Sequence, residues 1–384
     1  IYQHVFQPPP ALETLNPDLP AELTTLTMRL LRKNRSERPA SAWDILHRFG
    51  EQPDAERAIQ LFRPELVGRQ QELKTLIDEL ELIGKRQSRS ACLLVGPAGV
   101  GKSRLLEELW ESGRGQGFRI VRLSAAEPVE APYSYFNPLL ELLVEIAREQ
   151  PLLGRRLLRD DAPIVARIAP RLTELDGLEI TSAEALAPVD ERRRAKRALW
   201  RVAHRLGRQE PLLLICDQLE RADLLSLDAL NYISDQMGKA EAGQLDDLGS
   251  GSLAVVGAWR EGERMDLLVQ QQLVKRITLN PLVDEDLRKL GTSCLGSPLS
   301  GQLVDCLANC SEGVPLLLIE SLRALAENHA VHRPGMTPWD LRDDVDVDSI
   351  VSDIGQGDSL GRLAETLFDG LSADAGLVLG AAAI

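Results

Sequence analysis

Residues 96–103 read Gly-Pro-Ala-Gly-Val-Gly-Lys-Ser, and the apolar run Ala91-Cys92-Leu93-Leu94-Val95 stands directly before them. Arg104-Leu105-Leu106-Glu107-Glu108-Leu109-Trp110 follows with helical spacing. Strand, glycine-rich turn, Lys-Ser and helix, in that order, are the parts of a phosphate-binding P-loop. Glycines let backbone N–H groups converge on phosphate oxygens, and the next helix N-terminus favours an anion. On this reading Gly96, Gly99 and Gly101 shape the cradle, Lys102 reaches the β and γ phosphates, and the Ser103 hydroxyl ligates Mg²⁺. Arg104, the next residue, belongs to the same candidate nucleotide site. The bland alternative is a glycine turn between an unrelated strand and helix.

Around this motif the chain alternates. Short apolar runs at 91–95, 119–123, 212–216, 253–258 and 276–279 have the length of buried parallel strands. Helical stretches separate them, including 192–208, whose apolar face is Ala195, Ala198, Leu199, Val202, Ala203 and Leu206; its arginine-rich face reads as solvated. A further helix is expected over 70–83, with Leu73, Leu76, Ile77, Leu80 and Ile83 on one side. Residues 239–252 read as a Gly- and Ala-rich surface loop. From Pro281 onward no strand is expected, only helices near 284–293, 299–310 and 315–328. The fold class is therefore α/β: a P-loop nucleoside-triphosphatase core with a five-stranded parallel sheet, followed by a helical lid. The expected divisions are 1–50, a linker at 51–63, the core at 64–280, the lid at 281–345 and an acidic terminal stretch at 346–384.

A P-loop needs an acid at the end of a buried strand to hold Mg²⁺ through water. Leu212-Leu213-Leu214-Ile215-Cys216-Asp217 supplies Asp217. The next position, where a second acid would activate the attacking water, is Gln218. An amide orients water but accepts no proton. Loss of a general base costs about 10²–10⁴ in rate, so slow hydrolysis is expected unless Glu220 or Asp223 substitutes. The run Leu253 to Trp259 ends at Arg260, a candidate probe of the γ-phosphate or a plain surface charge.

The formal net charge of -14 opposes a nucleic-acid-wrapping surface. Between 340 and 384, ten carboxylates face only Arg342 and Arg362, which reads as a solvated face. Cys92, Cys216, Cys294, Cys306 and Cys310 form no CxxC pair. Buried thiols, a reducing compartment and a cytoplasmic location are the expectation. No signal peptide and no apolar run of roughly 18 residues is present, so no membrane partner is expected. A start at Ile1 and an apolar end at Leu377–Ile384 suggest a segment of a longer protein.

Taken together, residues 64–384 resemble the STAND class of signal-transduction ATPases within the AAA+ superfamily. They are most similar to the ATPase segment fused behind bacterial serine/threonine kinases and ahead of regulatory repeats. Leu66-Val67-Gly68-Arg69 with Glu72-Leu73 is similar to the opening motif of that family, and the resemblance implies that Val67, Gly68 and Arg69 pack against adenine. Pro132-Tyr133 resembles a recurrent Pro-Tyr after the second strand, and Asp217 through Ala222-Asp223 resembles the extended acidic motif. The resemblance places Arg260 at the arginine after the fourth strand. Gly313-Val314-Pro315 resembles the Gly-x-Pro of the lid, which implies that Pro315 approaches the nucleotide. Leu371 to Ile384 looks like the first turns of a winged helix. Two departures stand out: Gln218 replaces the usual second acid, and Glu220-Arg221 stands where relatives often carry His-Trp.

Residues 1–50 resemble the end of a protein kinase C-lobe, through Ile1-Tyr2-Gln3-His4, Asn16-Pro17-Asp18-Leu19-Pro20, Leu30-Leu31-Arg32-Lys33 and Glu37-Arg38-Pro39-Ala40-Ser41-Ala42. The kinase catalytic motifs are absent from this sequence. A free-standing helical cap is the alternative. In a kinase remnant Leu23, Leu26, Leu30 and Leu31 would be uncovered.

The resulting expectation is a switch that binds ATP with Mg²⁺, hydrolyses slowly and acts on an attached or neighbouring kinase domain or on downstream repeats, with nucleotide-dependent oligomers possible. Its rivals are a competent remodelling ATPase, a DNA-binding regulator and a degenerate scaffold. Preference for ATP over GTP rests on the resemblance.

Overall fold

The computed structural model describes residues 21–30, 64–86, 88–124, 131–175, 180, 186–241, 251–261, 275–333, 337–342 and 350. Apart from 21–30, the kinase-like motifs of residues 1–50 lie outside this set. So do the linker at 51–63 and the winged-helix start.

Five strands form one parallel sheet: β1 (Arg89–Gly96), β2 (Arg119–Leu123), β3 (Leu212–Cys216), β4 (Leu253–Arg260) and β5 (Lys275–Thr278). Their spatial order is β2-β3-β4-β1-β5, so the loop-bearing β1 is flanked by β4 and β5. Each apolar run expected as a strand is one. The reason lies in the two faces of the sheet. Along β1, Leu93 and Val95 enter one core while Cys92 and Leu94 enter the other; Leu214 and Leu213 on β3 divide the same way. A strand buried on both faces has no polar alternation, so it reads as a continuous apolar run.

Helices α1 (Ala21–Leu30), α2 (Gln70–Arg86) and α3 (Lys102–Gly115) come from the first third of the chain. On α1, Leu30 is 43% exposed while Thr24 is buried. The side chains of Leu23 and Leu26, and all of Leu31, lie outside the described set. Helices α2 and α3 cover one face of the sheet through Leu76, Leu80, Leu105 and Leu109. Over the other face lie α4 (Asn137–Glu149), α5 (Pro151–Leu158), α6 (Ala162–Ile168), α7 (Pro188–Gln209) and α8 (Leu224–Glu241). Prolines in the first turns of α4 to α7 mark their starts, where a missing N–H costs nothing. Helix α8 runs to Glu241, so the loop expected from Lys239 is helical at its beginning. Lys239, Ala240 and Glu241 all favour helix.

The lid has its own core. Helices α9 (Asp284–Leu295), α10 (Gly301–Ser311) and α11 (Pro315–Glu327) pack Leu287, Leu290, Leu303, Leu307, Leu318 and Leu322 together. Ser300 caps α10 by accepting from Leu303 N at 3.1 Å, and Pro315 opens α11. After them β6 (Val331–His332) and β7 (Asp340–Leu341) pair antiparallel. This corrects the expectation of no strand beyond Pro281. Two residues per strand are too few to leave a period in the sequence.

Candidate nucleotide site

The loop between β1 and α3 meets the lid. Gly99 and Gly101 have φ of +73° and +103°, a region side-chain-bearing residues enter only with strain. Gly101 is the N-cap of α3 and brings no side chain to it. The helix end therefore keeps its N–H groups for an anion. Lys102 Nζ donates to the carbonyls of Gly96 (2.8 Å) and Pro97 (2.7 Å), so its ammonium curls over the loop. Burial lowers its pKa, while Glu220 and then Asp217 oppose the shift; Arg260 adds to it.

Ser103 and Asp217 come together from α3 and the end of β3. Ser103 Oγ donates to Asp217 Oδ1 at 3.1 Å, and the same oxygen accepts from Gln218 N at 2.9 Å. A hydroxyl and a carboxylate are hard oxygen donors of the kind Mg²⁺ takes, with water and phosphate completing its shell. Among the described residues no group of three or more His, Cys, Asp or Glu could cage a metal. That donor set fits an ion that arrives with phosphate rather than one resident in a protein cage.

Tyr135 is a member of this site that sequence reasoning missed. Its hydroxyl donates to the backbone carbonyl of Asp217 at 2.5 Å, and its ring is 0% exposed. Burial pushes its pKa up, so it stays a phenol and a donor. The available signal was its place two residues after Tyr133 in a chain with only 4% aromatics.

The other acids divide by role. Asp223 accepts from Ser226 N (2.9 Å), Ser226 Oγ (2.6 Å) and Tyr133 N (3.2 Å). It caps α8 and holds Tyr133, whose φ of +62° is left-handed. With both oxygens so used it is a structural residue, and its candidacy as a base falls. Gln218 also sits in the left-handed region, at φ +52°, with its Oε1 accepting from Arg221 at 3.3 Å. Glu220 Oε2 accepts from Arg260 N at 3.1 Å, and Arg260 stands in register with Gly96. Among the described residues no ion pair holds the Arg260 guanidinium.

A cavity of about 420 Å³ opens beside the loop, lined by Leu66, Val67, Arg69, Gly99, Gly101, Lys102, Ser103, Arg104, Leu282, Leu290, Pro315, Leu316 and Ile319 among others. One end presents the loop and the other is apolar, as a nucleotide's phosphates and base require. Leu66 packs with the core beneath the sheet and its neighbour Val67 with the lid core. Gly68 is pressed against Leu282, where an added Cβ would lie 2.7 Å from Cδ2. Arg69 is 5% exposed; its two terminal nitrogens donate to the Val100 and Asn280 carbonyls and to Glu72, while its buried Nε has no partner among the described residues. It lines the cavity yet acts mainly as a clamp beneath the loop. Arg104 pairs with Glu108 at 2.6 Å along the helix. Leu316 N donates to Gly99 O at 3.2 Å, a direct hydrogen bond between lid and loop.

Residues 65–245 match a family model described as an AAA ATPase domain. None of the curated proteins compared with the sequence matches it. Among solved structures the chain is similar to Cdc6p from Pyrobaculum aerophilum, at 15% identity and a TM-score of 0.41, over 70% of this chain and 63% of that one. It is also similar to the Aeropyrum pernix ORC1 protein in complex with DNA, at 17% identity and a TM-score of 0.45, over 85% and 73%. Drosophila ORC bound to DNA is a third, at 14% identity and a TM-score of 0.47, over 89% and 73%. The chain thus spans under two thirds of the length of the Pyrobaculum protein. Over residues 65–245 the chain is thus similar to AAA ATPase domains, and its five-stranded parallel sheet with the loop after β1 is that of a P-loop α/β fold. No helix among the described residues is long and apolar enough to cross a membrane.

Proposed function

We propose that this chain is an ATP-operated signalling switch of the STAND kind, with slow hydrolysis, whose lid passes the state of its site to an attached or neighbouring serine/threonine kinase domain or to regulatory repeats. One observation carries the reading. The cavity wall is divided between core and lid, and the two are joined across it through Leu316 N and Gly99 O. A ligand filling that cavity touches both bodies and so biases their arrangement, by as much as its affinity differs between the two. Lys102 and the α3 N-terminus would bind the phosphates, while the apolar end would take the base. Ser103 and Asp217 would hold Mg²⁺, which when bound neutralises phosphate charge. Gln218 can orient a water by hydrogen bonding but cannot remove its proton. The kinase link is supported by the resemblance of residues 1–50, and the ATP preference by the resemblance of residues 66–69.

The test is to soak the purified protein in Mg-ATP, wash it, denature it and separate the released nucleotide by chromatography. Mainly retained ATP is the expected result. Mainly ADP would replace the slow switch with a competent ATPase. Neither nucleotide, with Lys102→Ala behaving as the unaltered protein, would overturn nucleotide binding itself.

A further inference from the structure

Gln218 leaves the site without the acid that usually follows the magnesium ligand, yet a second carboxylate stands beside the phosphate loop. Glu220 lies in the 3₁₀ turn Leu219–Arg221, directly beyond β3. Its Oε2 accepts from the backbone N–H of Arg260 at 3.1 Å. That bond carries the side chain across to the end of β4, the strand between β3 and the loop-bearing β1. Arg260 is the β4 residue registered against Gly96, where the loop begins. Glu220 is thus anchored at the edge of the sheet that faces the loop. The electrostatics agree: Glu220 supports the charge of Lys102 more strongly than Asp217 does.

Two neighbouring acids are engaged by other donors, and Glu261 lies 3.9 Å from Arg276. Asp217 Oδ1 already accepts from Ser103 and Gln218. Asp223 is consumed in capping α8 and gripping Tyr133. Among the described residues nothing donates to Glu220 Oε1, which leaves that oxygen able to take a proton. We propose that Glu220 is the general base for the hydrolysis this site performs, doing the work that position 218 has lost. The inference rests on the reading that ATP binds in this cavity.

In the step, a water oxygen forms a bond to the γ-phosphorus while the bond from that phosphorus to the β,γ-bridging oxygen breaks. The bonding pair leaves with ADP. The water's proton passes to Glu220 Oε1, and the products are ADP and inorganic phosphate. The base reaches in from a neighbouring turn through a backbone anchor, so hydrolysis is slow rather than absent.

The experiment measures single-turnover hydrolysis and the equilibrium binding of fluorescent ATP and ADP analogues, on the whole chain. In Glu220→Gln, hydrolysis should fall about 10²–10⁴-fold while ATP binding persists. Removing a negative charge beside Lys102 should also raise the ratio of ATP to ADP affinity, by about threefold or more. Glu220→Ala should regain part of its turnover in added formate, which restores a carboxylate to the gap. If Glu220→Gln lost binding as well, formate rescue of Glu220→Ala would decide, and no rescue would overturn the proposal. It is equally overturned by wild-type turnover in Glu220→Gln, or by an unaltered protein that binds ATP and never hydrolyses it. Failure of the unaltered protein to bind either analogue would instead sink the nucleotide reading beneath it.

Discussion

Lys102 is held half-buried against two carbonyls, and burial lowers its pKa below the ordinary lysine value. Phosphate binding needs the ammonium, so affinity for ATP falls as pH rises through the lowered pKa, earlier than for an exposed lysine. Lys102→Arg should keep its affinity at alkaline pH, where the unaltered protein loses it; calorimetric titrations across pH check this. Lys102→Ala should weaken ATP about 10- to 100-fold, the worth of a charge-assisted contact. Tyr135 acts one step further back. Tyr135→Phe removes the donor to the Asp217 carbonyl, so the Mg²⁺-dependent part of ATP affinity should drop while Mg²⁺-free binding is kept. Equal loss with and without Mg²⁺ would show that Tyr135 serves folding alone. The contrast between these residues explains what was legible. Lys102 and Ser103 stand in one contiguous motif, and Asp217 ends an apolar run. Tyr135 meets Asp217 across 82 residues and Asp223 meets Tyr133 across 90, and no local pattern records such meetings.

Elements followed the same logic. The central strands β1, β3 and β4 were legible because burial on both faces makes each an apolar run, whereas the edge strands β2 and β5 keep exposed charged residues; α9 to α11 are punctuated by Gly296, Ser300 and Pro315. The hairpin β6–β7 was not, being two residues deep. The joint between lid and core is likewise invisible in sequence, since it is made of backbone. That joint is the bond from Leu316 N to Gly99 O. Within the lid, Leu282 N donates to Gly313 O at 2.7 Å, and an added Cβ at Gly313 would lie 2.7 Å from Leu282 O, at a φ of +80°. Gly313→Ala should therefore destabilise the protein by about 1–3 kcal/mol and speed proteolysis within the lid. Unchanged melting and cleavage would mean that this contact bears no strain. Asp223→Ala should cost about 0.5–2 kcal/mol through the lost cap of α8, read as a lower denaturation midpoint.

Across the whole molecule, two apolar cores flank the sheet and a third builds the lid. The cavity and the contacts around it tie the last to the others, so ligand should raise the stability of both together. At 100 times its dissociation constant, ATP should add about 2.7 kcal/mol. Calorimetric scans should then show lid and sheet unfolding in one transition with nucleotide and in separable steps without it. A single transition in both conditions would show that packing, rather than ligand, joins them. Helix α11 adds one more consequence. Its first turn, with Pro315 and Leu316, rests on the phosphate loop, and its last residue is Glu327. Thirteen residues of helix span about 20 Å, so under the proposed function this helix would be a pointer pivoted at the loop. A tilt of about 10° at the pivot swings the far tip by about 3 Å over that length. On the proposed reading, a small displacement at the phosphate would become one large enough for a neighbouring domain to feel.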